Sequence, residues 1–338
     1  MSDNGLLTID APSPPIPALV HRLVALGRKL LPWLGVAIGI LAIIAVRHAL
    51  HGLVWADVRA SLAKVGTARI CLSLLLSVMS YYVLTFYDQL ALRIARVTVS
   101  WRRTALAAFV GYTFSHNLGA GIVTGGSARF RIYSAGGLKA RHIAEVIGIA
   151  GVTFWSGVIA VTGGALAVAP HIISFIVPGV APWLARGIGL SILAGTVIAI
   201  ALLPRQAELQ FWRIRIPLPT RRQAVAQVLL GAGDLLLASG TFFALLPGVP
   251  LSSFPEVYLA YSVAVIAVLL SHVPGGVGVF EAVLVATLPA IPKPTLLAAL
   301  ILFRVVYYFL PLLVASLMLL IHESGPKRVP SPRPDPSH

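Results

Sequence analysis

The chain has 338 residues, of which 58% are hydrophobic and 11% charged, with a mean hydropathy of +0.90. A soluble domain carries about 25% charged residues, so this balance excludes one and marks an integral membrane protein. The net charge of +15 would suggest nucleic acid in a soluble protein, but here it reads as Lys/Arg-rich cytoplasmic loops, or as attraction to anionic lipid headgroups.

The apolar runs are continuous rather than alternating with period two, which predicts helices and not a β-barrel. Cys71 is the only cysteine, so neither an intrachain disulfide nor a cysteine metal site is expected. Residues 1–29 read as a cytoplasmic arm and 323–338 as a cytoplasmic tail, both proline-rich and disordered, with no cleavable signal. Between them, 30–322 reads as one transmembrane domain: a first half 30–204, a basic linker 205–223 with Pro217 and Pro219, and a second half 224–322.

In chain order, Leu30–Val46 is a first span, and 51–69 a helix on the membrane surface. Ile70–Tyr87 is a second span, ending at Asp88. Residues 104–141 begin apolar and finish with Arg129, Arg131, Lys139 and Arg141. Spans follow at 146–170, 187–204 and 224–247, the last holding Asp234. Residues 257–290 are apolar but broken at Pro274-Gly275-Gly276, and 295–321 is a last span holding Arg304. Placing every Lys/Arg-rich segment in the cytoplasm makes 104–141 start and end inside, and 257–290 start and end outside. The predicted fold is therefore an all-α polytopic membrane protein of about eight membrane segments: six full spans plus two opposed re-entrant hairpins with glycine-rich tips. An ordinary eight-span bundle stays open, and residues 47–69, basic yet assigned outside, fit worst.

Two stretches organise this pattern: Ser115–Tyr133, with His116, Asn117, Gly125, Gly126, Arg129 and Arg131, and Ser271–Glu281, with His272, Gly275, Gly276 and Glu281. Irregular backbone at membrane depth must line a cavity or be buried, and glycine lets a substrate approach it. Gly163–Gly164 and Gly231/Gly233 read instead as packing glycines. Arginine binds phosphate bidentately, so Arg129 and Arg131 are expected to hold a headgroup; snorkelling to the interface is the plainer account. Glu145, Asp234 and Arg304 are expected in a charge or coupling network, with a structural salt bridge equally open. Tyr81–Tyr82 and Tyr307–Tyr308 read as belt or packing residues. His116 and His272 lack acidic or thiol neighbours at ligand spacing, so no metal is expected. No phosphate-binding loop, nucleotide fold or nucleophile–base pair is present, so no cofactor and no enzymatic activity are expected.

At the same residues the chain resembles the transmembrane region of the lysylphosphatidylglycerol synthase/flippase family, the MprF-type membrane domain and its stand-alone YbhN-like relatives. The matching pieces are Asn117-Leu118-Gly119 through Thr124-Gly125-Gly126, Arg129-Phe130-Arg131-Ile132-Tyr133, and Pro274-Gly275-Gly276-Val277-Gly278-Val279-Phe280-Glu281, within about residues 30–322. The resemblance implies a multi-pass protein of the bacterial inner membrane, both termini cytoplasmic, that translocates a phospholipid, phosphatidylglycerol-derived or aminoacylated. The aminoacyl-transferase domain of the full family enzyme has no counterpart in this chain, so the resemblance does not extend to synthesis. The rival expectations are a membrane subunit that recruits a lipid-synthesising enzyme and, less supported, an intramembrane enzyme.

Overall fold

The computed structural model describes residues 55–119, 121–173, 179–204, 208–211 and 214–324. The expected first span, arm and tail end lie outside these residues. Eleven α-helices are numbered here: α1 (Trp55–Lys64), α2 (Thr67–Ile94), α3 (Trp101–Leu118), α4 (Gly121–Ser134), α5 (Ala140–Val168), α6 (Pro182–Leu202), α7 (Arg221–Ala244), α8 (Phe254–Ser271), α9 (Val279–Thr287), α10 (Lys293–Phe303) and α11 (Leu310–Ser324). A six-residue π-helical segment, Arg304–Phe309, joins α10 to α11. Among the described residues six stretches are long and apolar enough to cross a membrane: Thr67–Ile94, Ala140–Val168, Pro182–Leu202, Arg221–Ala244, Leu251–Ser271 and Lys293–His322.

Several boundaries differ from expectation. α2 has 28 residues and is about 42 Å long at 1.5 Å per residue, so Asp88 lies inside it rather than at its end. The linker holds a short antiparallel hairpin, β1 (Glu208–Phe211) and β2 (Ile214–Pro217), with Leu209 opposite Ile216. α7 begins before the linker's expected end because Thr220-x-x-Gln223 forms a capping box: Gln223 N donates to Thr220 Oγ1 and Thr220 N to Gln223 Oε1. Leu251–Ser271 is long enough to cross by itself, although its sequence reads as one arm of a hairpin.

The helix directions follow from cross-contacts. Arg69 Nη1 donates to Leu246 O at 3.0 Å and Ser73 Oγ to Thr241 O at 3.0 Å, so α2 and α7 are antiparallel. Gly157 touches Gly231 and Gln227 reaches Thr153, so α5 and α7 are parallel. The C-terminus of α2 and the N-termini of α5 and α7 therefore share one end, with Arg93, Arg96, Arg102, Arg103, Lys139, Arg141, Arg221 and Arg222. Arg69, part of the basic stretch that fitted worst, caps the last carbonyls of α7 at the opposite end.

α3 and α4 form an antiparallel hairpin rooted at the basic end, with Gly125 against Gly111 and Ser115. α8 and α9 form a second one rooted at the opposite end, with Gly276 against Val268 and the Tyr261 and Phe280 rings 5.5 Å apart. α4 and α9, with 14 and 9 residues, are about 21 and 14 Å long and cannot cross a hydrocarbon core of about 30 Å. Gly157 with Gly231 and Gly163 with Gly189 bring backbones together, as packing glycines do, while Gly164 and Gly233 meet nothing. The core is aromatic at its centre: Phe242, Phe280 and Phe303 are 0–1% exposed.

Candidate functional site

The two hairpins meet tip to tip. Gly119 ends α3 at φ +66°, and a Cβ there would lie 3.0 Å from Pro274 Cα. Gly275, at φ +61°, lies against the carbonyl oxygen of Asn117. Positive φ and backbone contact together leave room only for glycine at both tips. The break in the first hairpin falls at Gly119 and not at Gly125–Gly126. Those two sit within α4, where Gly125 abuts Gly111 O and Gly126 faces Ile147.

The second tip is held by Arg304. Its Nε and Nη2 donate to Glu281 Oε1 at 2.9 and 2.7 Å, Nη1 donates to Gly275 O and Nη2 to Gly276 O. The other oxygen of Glu281 accepts the Gly278 N–H at 2.8 Å, capping α9. Arg304 also lies over the Tyr308 ring at 4.6 Å. The π segment that begins at Arg304 offers three successive carbonyls to side chains: Val306 O to Ser77 Oγ, Tyr307 O to Tyr81 OH and Tyr308 O to Asn117 Nδ2. Such one-turn widenings need outside donors and frequently mark functional sites.

A second ion pair is sealed deeper. Arg129 Nε donates to Asp88 Oδ2 at 3.0 Å and Nη2 to Oδ1 at 3.2 Å, while Tyr133 OH donates to Oδ2 at 2.8 Å. Arg129 and Asp88 side chains are 5% and 0% exposed. Gly111 makes the space, since a Cβ there would fall 2.7 Å from Arg129 Nη1. The guanidinium carbon lies 4.0 Å from the Tyr112 ring centroid.

Between the pairs runs a row of rings. Tyr112 to His116 is 6.4 Å, His116 to Tyr307 6.0 Å and Tyr307 to Tyr308 5.8 Å, linking Arg129 at one end to Arg304 at the other. Asp234 lies beside this row, accepting from Ser80 Oγ at 2.5 Å and Tyr87 OH at 3.4 Å; Ser80 Oγ is 2.9 Å from Tyr307 OH. His116 Nδ1 is buried with no hydrogen-bond partner.

The structure thus brings together His116, Asn117, Gly275, Gly276, Glu281 and Arg304. Arg131 is exposed at the basic end, and His272 is exposed with Nδ1 3.0 Å from its own helix at Leu270 O. Glu145 pairs with Arg141 and His142 on its own helix rather than with Asp234 or Arg304. The sequence reading passed over Asp88, Ser80 and Tyr87, and it took Tyr81 and Tyr307 for packing or belt residues. A signal for them existed: Ser73, Ser77, Ser80, Tyr81, Tyr87 and Asp88 recur at helical spacing and form one polar face of α2. Among the described residues no three His, Cys, Asp or Glu side chains converge as a metal site would require.

The model of the family "Lysylphosphatidylglycerol synthase TM region" matches residues 33–315. The chain is 33% identical over 294 residues to the uncharacterized protein slr0712 of Synechocystis, covering 85% of this chain and 89% of that protein. It is 29% identical over 324 residues to inner membrane protein YbhN of Escherichia coli, covering 90% and 95%. Both glycine tips, both ion pairs and the rings between them fall inside the matched region, and the chain belongs to the lysylphosphatidylglycerol synthase TM region family.

Proposed function

We propose that this protein is a transporter rather than an enzyme, and that it moves a phospholipid between the leaflets of a bacterial inner membrane. The observation that carries the reading is the meeting of two hairpins rooted at opposite ends, with α4 and α9 too short to cross. Both hairpins are then re-entrant, and their tips set irregular backbone at mid-depth, a recurring transporter device. The family description names a lipid, and one relative is named an inner membrane protein. The basic end faces the cytoplasm, since cytoplasmic loops concentrate Lys and Arg.

The headgroup lies between the tips. When they part, Arg304 exchanges part of its hold on Gly275 and Gly276 carbonyls for the lipid phosphate, a planar bidentate contact. Asn117 and the freed glycine backbone add donors. Glu281 faces the cationic end of an aminoacylated or zwitterionic headgroup. Arg131, exposed at the basic end, meets the phosphate on arrival. Arg129 acts through the fold, because it is 5% exposed and Asp88 holds its Nε and Nη2. This departs from a direct phosphate role for Arg129.

The test is a leaflet-exchange assay. Purified protein is reconstituted with headgroup-labelled phosphatidylglycerol, its lysyl ester, phosphatidylethanolamine or a polyprenyl phosphate, and a membrane-impermeant quencher follows exposure. Faster exchange of one lipid, lost in Arg304→Lys, supports the proposal and names the lipid class. No acceleration of any lipid by folded protein overturns it in favour of a subunit that recruits a lipid-synthesising enzyme.

A further inference from the structure

Three acids lie deep among the helices, and they are not alike. Asp88 carries Arg129 and Glu281 carries Arg304. Asp234, 5% exposed, has no cation on it among the described residues; its two oxygens meet only the hydroxyls of Ser80 and Tyr87. The ionisable side chains that feel its charge are tyrosines, which carry none themselves at neutral pH: Tyr81 and Tyr87 from α2, Tyr112 from α3, Tyr258 and Tyr261 from α8, and Tyr307 from the π segment. α5 faces α7 with Thr153 and Gly157, and α10 faces it with Phe303, none of them charged. α6 meets α7 at the basic end, where Arg221 donates to Leu203 O, about three and a half turns from Asp234.

An ionised carboxyl group at such depth without a countercharge is costly, and intramembrane acids of this kind mark proton or ion pathways. The spacing chooses between the two. Ser80 Oγ lies 2.5 Å from Asp234 Oδ1 and 2.9 Å from Tyr307 OH, which are hydrogen-bond separations. A sodium- or calcium-sized ion with oxygens at about 2.3–2.6 Å would hold its ligand oxygens wider apart than this. The chain Asp234–Ser80–Tyr307 suits a proton shared along hydroxyl groups. Tyr307 lies three residues after Arg304, and the neighbouring carbonyl of Tyr308 is held by Asn117 of the first tip. What Ser80 and Tyr307 donate to, and accept from, is thereby tied to the segment that locks the tips.

We infer that Asp234, with Ser80, Tyr87 and Tyr307, is a proton-binding site whose loading and unloading accompany the parting of the hairpin tips. Loading forms an O–H bond on an Asp234 oxygen with a proton taken from water at one end of the bundle. Unloading breaks that bond and returns the proton to water at the other end, with no redox change. This rests on the transport reading, and the experiment separates the two.

The assay is the same reconstituted system, using whichever labelled phospholipid exchanges fastest, with a pH gradient imposed and a sodium gradient in parallel. If one proton accompanies one lipid, each unit of pH difference shifts the steady-state leaflet ratio about tenfold in the wild type. In Asp234→Asn, which keeps the shape and the hydroxyl partners, lipid still equilibrates but the ratio ignores the gradient. Infrared spectra of the same samples give a readout independent of transport: a protonated carboxylic C=O band on acidification, missing in Asp234→Asn. A wild-type ratio that ignores pH, or follows sodium instead, overturns the inference and leaves the transport reading standing. No exchange of any lipid overturns the transport reading and the coupling together, and the infrared band then decides whether the proton site itself stands. Absence of a band that the substitution removes overturns the site.

Discussion

The two ion pairs among the helices each join an arginine to a carboxylate and differ in what surrounds them. Asp88 and Arg129 are 0% and 5% exposed and are joined through Nε and Nη2, with Tyr133 OH also donating to the carboxylate. Glu281 and Arg304 are 17% and 13% exposed, and each also holds tip backbone: Arg304 the carbonyls of Gly275 and Gly276, Glu281 the N–H of Gly278. The first pair joins one hairpin arm to a long spanning helix. The second joins a tip to the widened helix segment behind it. A sealed pair that holds no tip backbone fixes two helices; one whose arginine makes half of its hydrogen bonds to backbone carbonyls can trade those for a ligand's oxygens.

The comparison breaks first at Arg129. Arg129→Ala leaves Asp88 buried without its countercharge, and such breaks cost about 3–5 kcal/mol. The expected outcome is a large fall in the thermal unfolding midpoint in detergent and poor recovery of folded protein. Arg129→Met with Asp88→Leu removes both charges and regains most of that loss. If the single variant melts like the wild type, the sealed pair is not a pin and the contrast fails.

The tips come next. Gly119→Ala puts a side chain at φ +66° with its Cβ 3.0 Å from Pro274 Cα. A non-glycine residue held in that region costs about 1–3 kcal/mol. Lipid exchange should fall further than stability does, because the substitution disturbs the contact between hairpins more than either hairpin itself. Equal wild-type exchange would mean the tips do not need to meet.

Arg304→Lys sharpens the contrast at smaller cost to the fold. Lysine keeps the charge near Glu281 but loses the planar fork that reaches carboxylate and two carbonyls together. Exchange is expected to drop at least about tenfold, while stability falls by about 1.5–3 kcal/mol, the worth of a lost charge-assisted hydrogen bond. A melting loss as large as that of Arg129→Ala would make the two pairs equivalent.

The sequence made some of this visible. Glycines and a proline with polar neighbours inside apolar runs stand out, and both hairpins can be read from them, while Arg304 could be matched from sequence with Glu281 or Asp234 alike. The partner of Arg129 cannot, because a one-dimensional pattern shows which residue is costly to bury and not what faces it. Arg129 and Arg131 look like a pair in sequence, yet two residues apart on a helix they point to different sides, one to Asp88 and one outward. Gly125 resembles a tip residue because helix packing and chain reversal both select glycine; only the backbone angle at Gly119 tells them apart. The tyrosines of the ring row are indistinguishable in sequence from those of an interfacial belt: Tyr82 is 57% exposed while its neighbour Tyr81 is 4%.

Glu145 supplies the smallest test and a baseline for the other two pairs. Its carboxylate is 7% exposed, but Arg141, one turn away on the same helix, is 64% exposed, and His142 shares the contact at 35%. The long arginine reaches it from outside the bundle, where screening and side-chain entropy leave such pairs about 0–1 kcal/mol. Glu145→Gln keeps the hydrogen bonds and drops the charge, so the unfolding midpoint should move by no more than that, and lipid exchange should be unchanged. A strong transport defect with an intact fold would put a third acid in the coupling machinery and break the distinction between acids that face the centre of the bundle and one that caps its basic end.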